Sequence, residues 1–194
     1  MLLYMTQGRR FETWWMRTWP HRWHVRWHVP QFLRACPEPF RGEVLEIGAG
    51  RGYTSRRILE TFPQVELTVV DRDAKAVAAF DRLQKDYGRR LHVQEAAATQ
   101  LPFNRNDFDI VLAINVMRYL EEGEAESSLR EFLRVLTPGG MLGISEYAAW
   151  DQKKYMSSKR LEELLSQEGA EILHTAKGRG YDLWVRKPHG FGRS

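Results

Sequence analysis

Glu46, Gly48, Gly50 and Gly52 occupy every second position of the run Val44-Leu45-Glu46-Ile47-Gly48-Ala49-Gly50-Arg51-Gly52. An apolar strand that ends in an acid and breaks into three alternating glycines makes a turn that a ligand can approach closely. Glycine offers no Cβ and tolerates positive φ. Tyr53–Phe62 has the pattern of a helix, so its unbonded N–H groups face back toward whatever the turn holds. The chemistry is that of a nucleoside-containing cofactor.

Spacing and charge narrow the choice. Dinucleotide binders use G-x-G-x-x-G, with a helix end against a pyrophosphate. Here position 53 is tyrosine, and Glu46 would repel a pyrophosphate. An acid suits a ligand that carries an ammonium and a sulfonium, as S-adenosylmethionine does. Asp71 follows the turn by about 20 residues, the interval at which a second strand delivers a carboxylate to a ribose diol. Such charge-assisted pairs are geometrically selective.

The elements that must position these residues alternate strand and helix after Pro39, which predicts an α/β fold with a mainly parallel sheet. Strands are expected at Glu43–Ile47, Val65–Val70, Leu91–Gln94, Asp109–Ile114 and Met141–Ser145, with a closing hairpin of Ala170–Thr175 and Tyr181–Arg186. The run DIVLAI (109–114) is continuously apolar, as for a central strand covered on both faces. Helices are expected over Ala74–Tyr87, Glu124–Leu136 and Ser157–Glu168. Thr137-Pro138-Gly139-Gly140 reads as a stop, and Asp73 as a helix cap.

These ordered motifs resemble the class I S-adenosylmethionine-dependent methyltransferases: EIGAGRG (46–52), VVDRD (69–73), LPFNRNDFDIVLAINVMRYL (101–120), RVLTPGGML (134–142) and LEELLSQEGAEIL (161–173). The LPF…DFDIV and LTPGG elements look most like the ubiquinone/menaquinone-biosynthesis-type branch (methyltransferase type 11). The resemblance covers roughly residues 42–187. It implies a Rossmann-like three-layer sandwich with a seven-stranded, mostly parallel sheet, an antiparallel last strand and an N-terminal helical cap. It also implies S-adenosylmethionine as cofactor and S-adenosylhomocysteine as product. The cofactor set it suggests is Glu46, Gly48, Ala49, Gly50, Gly52, Asp71, Arg72, Ala97, Ala98 and Asn115, with the Arg72 stem laid on adenine.

Two positions depart from the family pattern. Where an aspartate often accepts from the adenine amino group stands Ala97, so backbone near Ala97 and Ala98, or Glu95 from a shifted loop, must serve. Where two histidines often follow the fourth strand stand Arg118 and Tyr119. Methyl transfer needs no base at that point, because aligning a nucleophile with an activated methyl supplies much of the rate. Tyr119, or His24 or His28 from the N-terminal segment, could still orient or deprotonate an acceptor. Arg118 and Tyr147 border the expected acceptor region.

Residues 1–40 differ from the 41–194 body. Between Met1 and Ala35, Glu12 is the one acid against Arg9, Arg10, Arg17, Arg22, Arg26 and Arg34, and five of the seven tryptophans fall there. Three readings stand open: a lid with Tyr4, Phe11, Trp14 and Trp15 as apolar lining, a basic aromatic surface for a membrane or nucleic acid, or packing on the back of the sheet. Pro20 and Pro30 should bracket a short helix. His24 and His28 have the i, i+4 spacing of metal ligands, but no third ligand is near, so no metal is assigned.

The whole chain of 194 residues carries a net charge of +4 and one cysteine, Cys36. That excludes an internal disulfide and a zinc–cysteine cluster and favours a cytoplasmic setting. No apolar run reaches the roughly 18 residues a membrane span requires. The function expected is methylation of O, N or C on a small, largely apolar acceptor by in-line displacement. A nucleic-acid methyltransferase, a non-catalytic cofactor-binding subunit and an enzyme using the sulfonium only as a fixed charge remain alternatives. A homo-oligomer is left open.

Overall fold

The computed structural model describes residues 19–147, 156–178 and 180–190, and the chain divides between residues 34 and 35 into two units. The first contributes helix α1, Trp19–Arg34, in which Val29, Phe32 and Leu33 are buried. This helix runs through Pro30 where the sequence reading ended it. Proline forfeits one intrahelical hydrogen bond, and the three buried apolar side chains on that last turn and a half offset the loss.

The second unit carries β1 (Gly42–Ile47), α2 (Tyr53–Thr61), β2 (Val65–Asp71), α3 (Ala74–Ala78), α4 (Asp81–Tyr87), β3 (Leu91–Glu95), β4 (Phe108–Ile114), α5 (Glu122–Val135), β5 (Leu136–Tyr147), α6 (Ser158–Gln167), β6 (Glu171–Lys177) and β7 (Gly180–Arg186). The seven strands form one sheet in the order β3-β2-β1-β4-β5-β7-β6. Only β7 runs antiparallel, paired with β5 on one side and β6 on the other. Helices cover both faces. β1 lies between β2 and β4, so chain connections leave it in opposite directions, and the crevice at its carboxyl end is where such sheets bind ligands.

Alternation of side chains divides the core. Leu45, Ile47, Val111, Ala113, Leu142 and Ile144 join Leu129, Phe132 and Leu133 of α5 and Leu161 and Leu165 of α6 in one cluster. Val44, Ile110, Leu112 and Trp184 are buried on the other face. There Phe40 stacks on Phe62 at 4.4 Å and meets Trp184 edge-on at 6.4 Å.

Three elements of the second unit also differ from the sequence reading. The helix expected over 74–87 is two, because Ala79 and Phe80 N–H groups bond three residues back, to Ala76 and Val77. That tighter turn brings the Phe80 ring to 3.0 Å from where a Cβ on Gly52 would stand. α5 starts two residues earlier than expected, since the Glu124 carboxylate accepts from the Glu121 N–H at 3.1 Å and closes the helix start. β5 begins at Leu136, before the Thr137-Pro138-Gly139-Gly140 stretch. Leu136 pairs with Phe108 and Met141 with Ile110, so the stretch is an excursion within the strand, not a stop before it.

Candidate active site

β1 delivers the turn to the sheet rim. Gly48 N–H donates to the Val70 carbonyl at 2.8 Å, which fixes the turn to the neighbouring strand, and φ is 67° at Gly48 and 54° at Gly50. A Cβ on Gly48 would stand 2.8 Å from Val116 Cγ2, whereas one on Gly50 would meet nothing within 4 Å. So Gly48 is needed for packing and backbone alike, and Gly50 presents bare backbone to open space. Ala49 is buried beneath the turn; Gly52, also buried, is the N-cap residue of α2.

The Asp71 carboxylate lies beside that bare backbone. Its Oδ2 accepts from Gly50 N–H at 2.9 Å and its Oδ1 from Asp73 N–H at 2.9 Å. Both oxygens are thereby aimed, and an ionised carboxylate still has lone pairs for two further donors. Asp73 caps α3 by accepting from Lys75 N–H at 3.0 Å. Arg72 is exposed next to it.

Glu46 is 2% exposed, with Ser55 of α2 donating to its Oε2 at 2.6 Å. Burial pushes its carboxyl up to about 8, against the lowering effect of the Ser55 hydrogen bond. At neutral pH it holds its proton, and a cation arriving near it would favour the ionised form.

On the far side of Asp71, Ala96 N–H donates to the Asp71 carbonyl at 3.0 Å, and Gln100 N–H to the Ala97 carbonyl at 3.1 Å. The 96–100 loop is thus pinned beside the carboxylate, with Ala97 exposed and Ala98 half-buried. Glu95 pairs with Asp71 across β2 and β3 and is exposed.

β4 ends in Asn115, whose φ of 56° is rare for a residue with a side chain. Its N–H donates to the Ser145 carbonyl at 2.7 Å, and its Oδ1 accepts from Tyr147 N–H at 2.9 Å. The following segment is anchored by Glu146, which accepts from Met117 N–H at 2.7 Å and from Arg118 Nε at 3.2 Å. Burial raises the Glu146 carboxyl, and Arg118 opposes that rise. Tyr119 is 45% exposed at the end of this segment.

The turn, Asp71, Glu46, the 96–100 loop and Asn115 therefore gather at one end of the sheet. Tyr4, Phe11, Trp14, Trp15 and the side chain of His24 lie outside the described residues; His28 is half-buried on α1. Sequence reasoning missed Ser55 and Glu146. A buried acid flanked by a serine nine positions on is the one signal that could have found the first. Among the described residues no group of three His, Cys, Asp or Glu could hold a metal ion. Burial pushes the Cys36 thiol up to about 11, so it supplies little thiolate at neutral pH. A groove of about 520 Å³ opens between Glu38, Asp109, Thr137 and Gly140. It lies at the amino ends of β1 and β4, away from the turn.

A family model described as a methyltransferase domain matches residues 44–140, half of the chain and the whole span from β1 to the β5 excursion. The chain belongs to the methyltransferase domain family. It is a class I domain, and its cofactor is S-adenosylmethionine. The residues present fit that molecule: bare backbone at Gly50, an aimed carboxylate at Asp71 and a buried acid at Glu46. The domain is similar to the ubiquinone/menaquinone biosynthesis C-methyltransferase UbiE of Ectopseudomonas mendocina, 33% identical over 54% of this chain and 41% of that one. It is also similar to the tRNA N(3)-methylcytidine methyltransferase Mettl2 of Drosophila melanogaster, 29% identical over 62% of this chain and 39% of that one. The chain thus spans about two fifths of the length of these relatives. The methyltransferase domain superposes on the PH0226 protein from Pyrococcus horikoshii with a TM-score of 0.74 at 18% identity, covering 89% of this chain and 93% of that one.

Proposed function

We propose that this methyltransferase domain methylates O, N or C of a small, largely apolar acceptor by in-line displacement. The observation that carries the proposal is the Asp71 carboxylate, held at both oxygens by backbone N–H groups beside the open face of Gly50. When bound, S-adenosylmethionine supplies a methyl group activated by a positively charged sulfur and leaves as S-adenosylhomocysteine.

In this reading Asp71 accepts from the ribose hydroxyls and the 96–100 loop borders the adenine. Glu46, ionised once a cation is near, orients the amino-acid end. Asn115 fixes the rim of β4, and Arg118 and Tyr119 border the acceptor, with the Tyr119 hydroxyl able to orient a nucleophile. The aromatic residues Tyr4, Phe11, Trp14 and Trp15 of the N-terminal segment suit an apolar acceptor. The likeness to UbiE supports a small acceptor.

A second reading, methylation of nucleic acid, is favoured by the arginine-rich N-terminal segment and by the likeness to Mettl2. One experiment separates them. The purified chain is incubated with methyl-labelled S-adenosylmethionine and either a lipid-soluble extract or total RNA. Label in an organic-extractable small molecule supports the proposal. Label in RNA, with binding that weakens steeply as salt rises, replaces it with the second reading.

A further inference from the structure

Ser55 is the third residue of α2 and is fully buried. A serine inside a helix often donates its hydroxyl to a carbonyl of the preceding turn. Here it reaches across to β1 instead and donates to Glu46 Oε2 at 2.6 Å. Glu46 is itself 2% exposed, and its register neighbours on β2 and β4, Val69 and Leu112, are apolar. Among the described residues its Oε1 meets no donor. Two polar groups paired away from water contribute little to stability that two apolar groups of the same shape would not. The pair is therefore explained by what the acid does rather than by packing.

Glu46 stands two residues before Gly48, at the carboxyl end of β1, and Asp71 of β2 is the charged group that acts on it. Burial raises the Glu46 carboxyl, the Ser55 hydrogen bond opposes that rise, and Asp71 adds to it. The acid thus shares the sheet rim with the Asp71 carboxylate and the bare backbone of Gly50, a setting that suits a cation. We infer that Ser55 is a positioning residue for the cofactor's amino-acid end: by holding Oε2, it leaves Oε1 of Glu46 for the ligand's ammonium. A hydroxyl donor favours the ionised form of its acid. The same bond therefore eases formation of the carboxylate when the cation arrives. The inference rests on the methyltransferase reading and adds to it the residue that makes Glu46 a reader of positive charge.

The test is calorimetric titration of the full chain with two ligands, from about pH 6 to about pH 8.5. One is S-adenosylhomocysteine. The other is 5′-methylthioadenosine, which keeps the nucleoside and the sulfur but has no amino-acid end. In wild type the first should bind more tightly as pH rises, and the second should bind equally throughout. Ser55→Ala should weaken S-adenosylhomocysteine at least fivefold at neutral pH and move its rise to higher pH, with 5′-methylthioadenosine unchanged within twofold. Ser55→Thr should restore the wild-type behaviour. Ser55→Cys, close in volume but a weak donor, should behave as alanine does, and it decides if the alanine variant does not fold. Equal weakening of both ligands would mark Ser55 as a packing residue and overturn the inference. Unchanged S-adenosylhomocysteine affinity, or a pH profile that does not move, also overturns it. The pH profile decides alone should 5′-methylthioadenosine bind too weakly to measure. Failure of wild type to bind either ligand would strike the methyltransferase reading instead.

Discussion

At Glu46 the physics of one residue sets a pH dependence. Its folded-state carboxyl titrates near 8, above its ordinary 4.5, because burial disfavours the charge. The folded chain therefore holds a proton there that the unfolded chain loses first. Stability from this group is present below the unfolded value and is lost as pH rises through about 8. The melting temperature of the cofactor-free protein should fall across that window, and the fall should flatten in Glu46→Gln. Cofactor affinity should move the other way, rising toward pH 8 with release of a proton, since the bound cation favours ionised Glu46. Calorimetry in buffers of different ionisation heat measures that proton; an apparent enthalpy independent of buffer would sink the idea. Lys187 is another buried ionisable group, 2% exposed, donating to Asn106 Oδ1 at 2.7 Å and to the Leu136 carbonyl. Burial first, then Arg105 and Arg134, lower its ammonium to about 8. A depressed lysine costs stability below its folded value, and that cost fades as pH rises toward 10.5. Lys187→Met removes the cost but strands two acceptors. A net loss of about 1–3 kcal/mol is expected in denaturant unfolding, and a more stable variant would show that the charge penalty dominates.

Within single elements, glycine positions decide what packs. A Cβ on Gly143, in the middle of β5, would stand 2.8 Å from two atoms of the Trp184 ring and 2.9 Å from Leu112. Gly143→Ala should therefore cost about 1–3 kcal/mol by overpacking, measured as a shift in urea midpoint with unchanged slope. No shift would mean that Trp184 moves freely. Such contacts explain what was legible in the sequence. The strand–helix order, the Asp73 cap and the glycine turn are local, written in runs of neighbouring residues, and they were read there. The excursion at Thr137–Gly140 looked like a stop because Pro and Gly break ladders; that the strand resumes pairing with Phe108 beforehand is fixed by β4, not by local sequence. The break at Ala79–Phe80 answers to Gly52, nearly thirty positions away. Ser55 under Glu46, Glu146 under Met117 and Ser145 against Asp182 are partners 9, 29 and 37 positions apart. No periodicity encodes such pairs. Only the register of the finished sheet brings them together.

For the molecule as a whole, charge and function divide along the chain. The basic, tryptophan-rich stretch up to Ala35 contrasts with a nearly balanced body, and α1 exposes Arg26, Trp27 and Arg34. If the acceptor is small, RNA binding by the full chain should be weak at physiological salt, and labelled methyl should not enter RNA; tight, steeply salt-dependent binding would favour the nucleic-acid reading. Underneath either outcome lies the sheet order, which puts the β1 turn and the β2 carboxylate side by side at a topological switch point. Everything proposed for this molecule depends on a cofactor lying there. Isothermal calorimetry with S-adenosylhomocysteine on wild type and Asp71→Ala tests it directly. Wild type should bind with one site per chain, and the variant at least tenfold more weakly, since two charge-assisted hydrogen bonds are lost. Absence of heat with wild type, or equal affinity in the two proteins, would contradict it.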